Sequence, residues 1–128
     1  MSEENQIIEF QLNQEILFGK YPEGFEITLE LAKKIVADRL VFQNGKDYPL
    51  VLDISGLKNT TKDARVYLSK DGVKGLTMGA FITKNTVARV TLNFFLAMEK
   101  PNVPTNFFTN EEDAINWIKK EMQNKTKC

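Results

Sequence analysis

The residues with chemistry to offer gather in one stretch, where Asp53, Ser55, Thr60, Thr61 and Asp63 stand close together. Hydroxyls beside carboxylates at the start of a helix can serve a function in two ways. Thr60 or Thr61 can accept a phosphoryl group, or the turn can hold a small anion, because a helix N-terminus presents unpaired N–H groups and the positive end of its dipole. The simpler account is structural: Thr60 caps the helix and Asp63, three residues on, closes a capping box. Acid–base catalysis has less to work with, since Asp53, Asp63, Glu111 and Glu112 are carboxylates without an identifiable proton-transfer partner. The chain has no histidine, which removes the commonest general base and the commonest metal ligand. Its one cysteine, Cys128, is the final residue, and a single thiol makes neither an internal disulfide nor a zinc cluster. No phosphate-binding loop, dinucleotide fingerprint or nucleophile elbow is present. The expectation is a non-enzymatic protein with no metal and no cofactor.

The elements that must position these residues can be read around Tyr48 to Leu68 (YPLVLDISGLKNTTKDARVYL). Pro49 to Ile54 is nearly all apolar, as a strand covered on both faces of a parallel sheet would be. Ser55-Gly56 makes a turn, and a helix follows from about Thr61 to Lys70, with Ala64, Tyr67 and Leu68 inward and Gly72 as its stop. Upstream, Ile7 to Gln11 and Glu15 to Lys20 read as a hairpin turning at Leu12-Asn13-Gln14. Pro22 and Gly24 punctuate the next turn. A helix then starts after Thr28, carries the stripe Leu31, Ala32, Ile35, Val36 and Leu40, and ends at Asn44-Gly45 with Gly45 in the left-handed position. Downstream come a strand over Leu76 to Ile82, a helix over Asn85 to Glu99 and a short strand at Phe107-Phe108. A last helix opens with a Thr109/Glu112 capping box and packs Ala114, Ile115, Trp117 and Ile118. The order ββαβαβαβα describes one α/β domain over residues 1–128, with an antiparallel N-terminal hairpin beside parallel strands, right-handed crossovers and a fraying tail from about Gln123.

Lys+Arg and Asp+Glu number 17 each, so the formal net charge is zero. Phosphate neutralisation drives nucleic-acid affinity, and without a basic excess a nucleic-acid partner is not expected. The polar start MSEENQ is unlike a signal peptide and no apolar run reaches spanning length, so the expectation is a cytoplasmic protein without membrane insertion. The 85–99 helix is apolar nearly all round, which requires burial on more than one side. Packing between the sheet and another helix, a homodimer surface, or an apolar ligand groove around Phe94, Phe95 and Met98 would each provide it.

Two stretches resemble the STAS domains, the fold of anti-sigma-factor antagonists. VLDISGL with the turn and helix after it is similar to the STAS strand and its regulatory helix. The run NTVARVTLNFFLAMEKPNVPTNFFTNEEDAINWI looks like a bacterial group of small stand-alone STAS-like proteins. The resemblance covers roughly residues 26 to 120, and it implies a STAS-like mixed sheet, regulation through an unnamed protein partner, and homodimerisation. STAS antagonists carry Asp-Ser-Ser/Thr-Gly at the helix start and are phosphorylated on the first Ser. Aligned from Asp53 without gaps, that motif falls on Thr61-Lys62-Asp63-Ala64, with Lys62 at the phosphorylated position; a one-residue gap brings Thr61 there. The function expected is therefore a regulatory interaction domain using Asp53 to Asp63. The alternative is a binding protein for a small apolar ligand.

Overall fold

The computed structural model describes residues 8–84 and 103–126. Five strands form the main sheet: β1 (Gln11–Asn13), β2 (Ile16–Lys20), β4 (Tyr48–Asp53), β6 (Leu76–Ile82) and β7 (Thr105–Phe108), side by side in that order. β1 and β2 are antiparallel, and β2, β4, β6 and β7 run parallel. Two short strands, β3 (Phe25–Ile27) and β5 (Leu57–Thr60), pair in parallel as a separate ladder. The helices are α1 (Leu29–Gln43), α2 (Lys62–Lys70) and α3 (Glu111–Thr126), with one 3-10 turn at Asp71–Val73. The mixed α/β fold expected from the sequence, a hairpin beside parallel strands, is the one observed.

β4 is buried from Tyr48 to Leu52 because helices cover both faces of the sheet. Leu50 and Leu52 pack with Ala32 and Ile35 of α1 and Ala64 of α2. Val51, pointing the other way, packs with Met78, Ala80 and Ile82 of β6 and with Ala114 and Ile118 of α3. Alternation of side chains along a strand thus feeds two separate apolar layers from one continuous apolar run. Each fully buried aliphatic side chain contributes about 1.5–3 kcal/mol, so the paired layers hold the sheet more firmly than either helix set would alone.

Several boundaries differ from the sequence reading, each for a local reason. The hairpin turns at Gln14-Glu15, not Leu12-Asn13-Gln14, and Asn13 pairs directly with Ile16. Both turn residues have positive φ, 53° and 69°. A two-residue hairpin takes this left-handed form because its twist matches that of the strands. The left-handed exit from α1 begins at Asn44 (φ 53°), whose N–H donates to Leu40 O at 3.1 Å and Val41 O at 3.2 Å, and Gly45 follows at φ 85°. Asn110, not Thr109, caps α3, accepting the Asp113 N–H on Oδ1 at 2.8 Å. The expected 85–99 helix, with Phe94, Phe95 and Met98, lies outside the described residues. Among the described residues no helix is long and apolar enough to cross a membrane.

Candidate functional site

β4 delivers Asp53 to the C-terminal edge of the sheet, where parallel strands hand their chain over to loops. The Asp53 carbonyl accepts the Tyr21 N–H at 2.9 Å, and its Oδ1 accepts the Ser55 N–H at 2.9 Å. Ile54 N–H donates to Ile82 O at 2.8 Å, and Leu57 N–H to Ile54 O at 3.0 Å, which closes a four-residue turn. Gly56 in that turn lies against the backbone of the preceding loop: a Cβ there would stand 2.3 Å from Pro22 O. Its carbonyl accepts the Phe25 N–H at 3.0 Å, and this starts the β3–β5 ladder, which pairs Ile27 with Thr60.

The ladder decides which threonine caps α2. Thr60 is the last residue of β5, and its carbonyl accepts Arg65 Nη1 at 2.5 Å. Thr61 is the cap, its Oγ1 accepting the Ala64 N–H at 3.4 Å and donating to Asp63 Oδ1 at 2.5 Å. No reciprocal box forms: counted from Thr61 the box position is Ala64, which has no side-chain acceptor, and the Thr61 N–H is donated to Ile27 O at 3.1 Å. The capping expected of Thr60 is therefore made one residue later.

The predicted residues Asp53, Ser55, Thr60, Thr61 and Asp63 thus share one loop but not one environment. Thr61 and Asp63 are exposed, and Thr60 is half-buried. Ser55 Oγ is buried with no hydrogen-bond partner among the described residues, which withholds it from any modifying enzyme. Among the described residues no group of three or more His, Cys, Asp or Glu is placed to hold a metal ion.

A second feature lies between α1, α2 and the sheet. A cavity of about 130 Å³ is walled by apolar side chains that include Ile35, Leu50, Leu52, Leu76, Phe81 and Phe107. Arg39 and Ser69, both buried, line it together with Tyr21 and Thr60. Arg39 is only 3% exposed. It donates from Nη2 to Gly72 O at 2.8 Å and Lys74 O at 3.0 Å, and from Nη1 to Gln43 Oε1. Gln43 in turn donates to Lys46 O and Gly75 O, both at 2.7 Å, so the pair pins the end of α1 to the chain entering β6. Burial lowers the Arg39 guanidinium to a pKa of about 10, partly opposed by the phenols of Tyr21 and Tyr67. Burial likewise pushes the Tyr21 phenol well above its ordinary value, and the Arg39 charge only partly opposes it. Neither Arg39 nor Gln43 was singled out from the sequence. The signal was present: at Ala32, Ile35, Val36, Arg39 and Gln43 the inward spacing of α1 continues through two polar residues.

A family model described as a domain of unknown function, DUF7793, matches residues 10–122. The chain belongs to that family. No curated protein matches this DUF7793 chain. Among solved structures, it is similar to an uncharacterised DUF3478-family protein with a SpoIIAA-like fold from Shewanella loihica PV-4. Identity is 17%, coverage is 86% of this chain and 90% of that one, and the TM-score is 0.59. It is also similar to a Ser→Glu variant of RsbS from Moorella thermoacetica, at 14% identity, 92% and 99% coverage and a TM-score of 0.63. At these identities the likeness is one of fold, and the DUF7793 chain has the STAS-like fold that its sequence resembles.

Proposed function

We propose that this DUF7793 protein is a non-enzymatic regulatory domain whose partner is another protein, bound by the loop from Asp53 to Asp63 and the start of α2. The observation that carries this reading is the contrast within that loop. Its backbone is held by hydrogen bonds to β2, β3 and β6, while Thr61, Lys62 and Asp63 stay exposed at its end. A rigid frame presenting a few polar side chains binds a partner without first ordering a loop. The STAS-like fold supports the same reading.

Phosphorylation of Thr61 would act on this surface through charge. The new phosphate would sit at the positive end of α2 and also against the Asp63 carboxylate, which the hydroxyl now contacts at 2.5 Å. The test is a set of pull-downs with the full chain, a Thr61→Glu variant and a Lys62→Glu variant. Loss of a recovered partner with Lys62→Glu at unchanged melting temperature would support the surface. Identical partners for the parent and Thr61→Glu would reject the phosphorylation switch.

The cavity beside Arg39 supports a second reading, binding of a small apolar ligand.

A further inference from the structure

Arg39 is the one charged side chain among the described residues that line the cavity. Burying a cation is expensive unless an anion or several hydrogen bonds compensate. The three ion pairs among the described residues are Lys34–Asp38, Lys46–Glu15 and Lys58–Glu26, and none includes Arg39. Its compensation is three hydrogen bonds to uncharged oxygens. A guanidinium carries five N–H donors. The Nε–H and one Nη1–H are therefore without a partner among the described residues. Around this charge the cavity wall is mostly apolar; its polar side chains, Tyr21, Thr60, Ser69 and Thr105, are uncharged, and the hydroxyl of Ser69 is already donated to Val66 O at 2.8 Å.

We infer that the cavity between α1, α2 and the sheet is a binding site for a compact apolar monocarboxylate whose carboxylate sits on Arg39. This rests on the ligand-binding reading above and is independent of the partner surface. A neutral apolar molecule would fill the walls and leave the buried cation unanswered. A small inorganic anion would answer the cation and leave the apolar walls empty. A dianion would need a second cation, which the described lining does not offer. Size narrows the class further. An engineered apolar cavity of about 150 Å³ accepts benzene, so 130 Å³ has room for a ring or short chain. The lowered Arg39 pKa records the same uncompensated burial, and at neutral pH the group is still charged.

The test is isothermal titration of sodium hexanoate and of 1-hexanol into the full chain at neutral pH. Hexanoate should bind roughly tenfold or more tightly than the alcohol, as a charge-assisted contact requires. Arg39→Met should bring the two within about twofold of each other. Because Arg39 also clamps Gly72 and Lys74, that variant can fail to fold, so a second one fills the cavity instead. A Cβ at Gly79 meets nothing nearer than the Phe81 ring at 3.4 Å, and Gly79→Val should fold and abolish binding of both probes. Equal affinity for hexanoate and hexanol in the parent would overturn the assignment of Arg39 and leave the apolar-ligand reading standing. Binding of neither probe would overturn both, and so would binding unchanged in Gly79→Val.

Discussion

Gly56→Ala is the most exacting test of how the candidate loop is held. The new Cβ would lie 2.3 Å from Pro22 O, 2.7 Å from Pro22 C and 2.9 Å from Tyr21 O. All three are backbone atoms, so no side chain can swing aside. The turn must retreat by roughly 0.7 Å to restore even a 3.0 Å contact. Overpacking of this kind costs about 1–3 kcal/mol. The Phe25 N–H bond to Gly56 O lies in the path of that movement, and losing it adds about 1 kcal/mol. Removing a glycine from the unfolded chain returns about 0.5 kcal/mol. The net is a loss of about 1.5–3.5 kcal/mol, a sizeable part of the 5–15 kcal/mol that holds a typical domain. For a chain of this size that corresponds to a melting point lower by about 6–13 °C, read by circular dichroism. Gly79→Ala is the control: its Cβ makes ordinary contact at 3.4 Å, and it should match the parent or exceed it by about 0.5 kcal/mol. Melting of Gly56→Ala within about 2 °C of the parent would refute the reasoning, because the two loops would then part freely.

Two further outcomes follow from individual contacts. Thr61→Ala should cost about 1 kcal/mol in urea unfolding through loss of the α2 cap, and Thr60→Ala less than about 0.5 kcal/mol; the reverse ranking would show that the cap is misassigned. The Tyr21 phenol is raised above its ordinary 10.0, so the native state keeps a proton that the unfolded chain releases. Its contribution is complete below pH about 10 and is lost above it, at up to about 1.4 kcal/mol per pH unit. Arg39, lowered to about 10, acts with the opposite sign in that range. Urea midpoints of the parent and Tyr21→Phe at about pH 9 and pH 11 isolate the tyrosine, and the parent should lose more stability over that interval than the variant.

What could be read in the sequence was whatever one element decides by itself. The apolar runs at Pro49–Ile54 and Leu76–Ile82 marked the central strands, and Thr28 marked the start of α1, because each signal is complete within its own segment. β3 and β5 could not be seen, because Phe-Glu-Ile and Leu-Lys-Asn-Thr are too short for a period and become strands only by pairing across the fold. That unseen pairing also moved the α2 cap: two adjacent threonines are equal in sequence, and the ladder consumes Thr60. The hairpin was misplaced because Gln14 and Glu15 adopt a turn that Asn and Gly usually mark. In the candidate site, the grouping of Asp53 to Asp63 was legible and the burial of Ser55 was not. Arg39 and Gln43 were overlooked because polar residues at inward positions read as the end of a stripe, not as the clamp beside a cavity.

The β3–β5 ladder has a consequence for how the molecule breathes. Ile27 accepts the N–H of Thr61, and the next residue, Thr28, accepts the N–H of Leu31 at 3.3 Å to begin α1. The first turns of two helices distant in sequence therefore hang from one pair of adjacent rungs. A fluctuation that frees one start must free the other, so the amides of Phe25, Leu31, Thr61 and Ala64 should exchange with deuterium as a single cooperative unit. Whatever docks on the start of α2 would then slow exchange at the start of α1 as well.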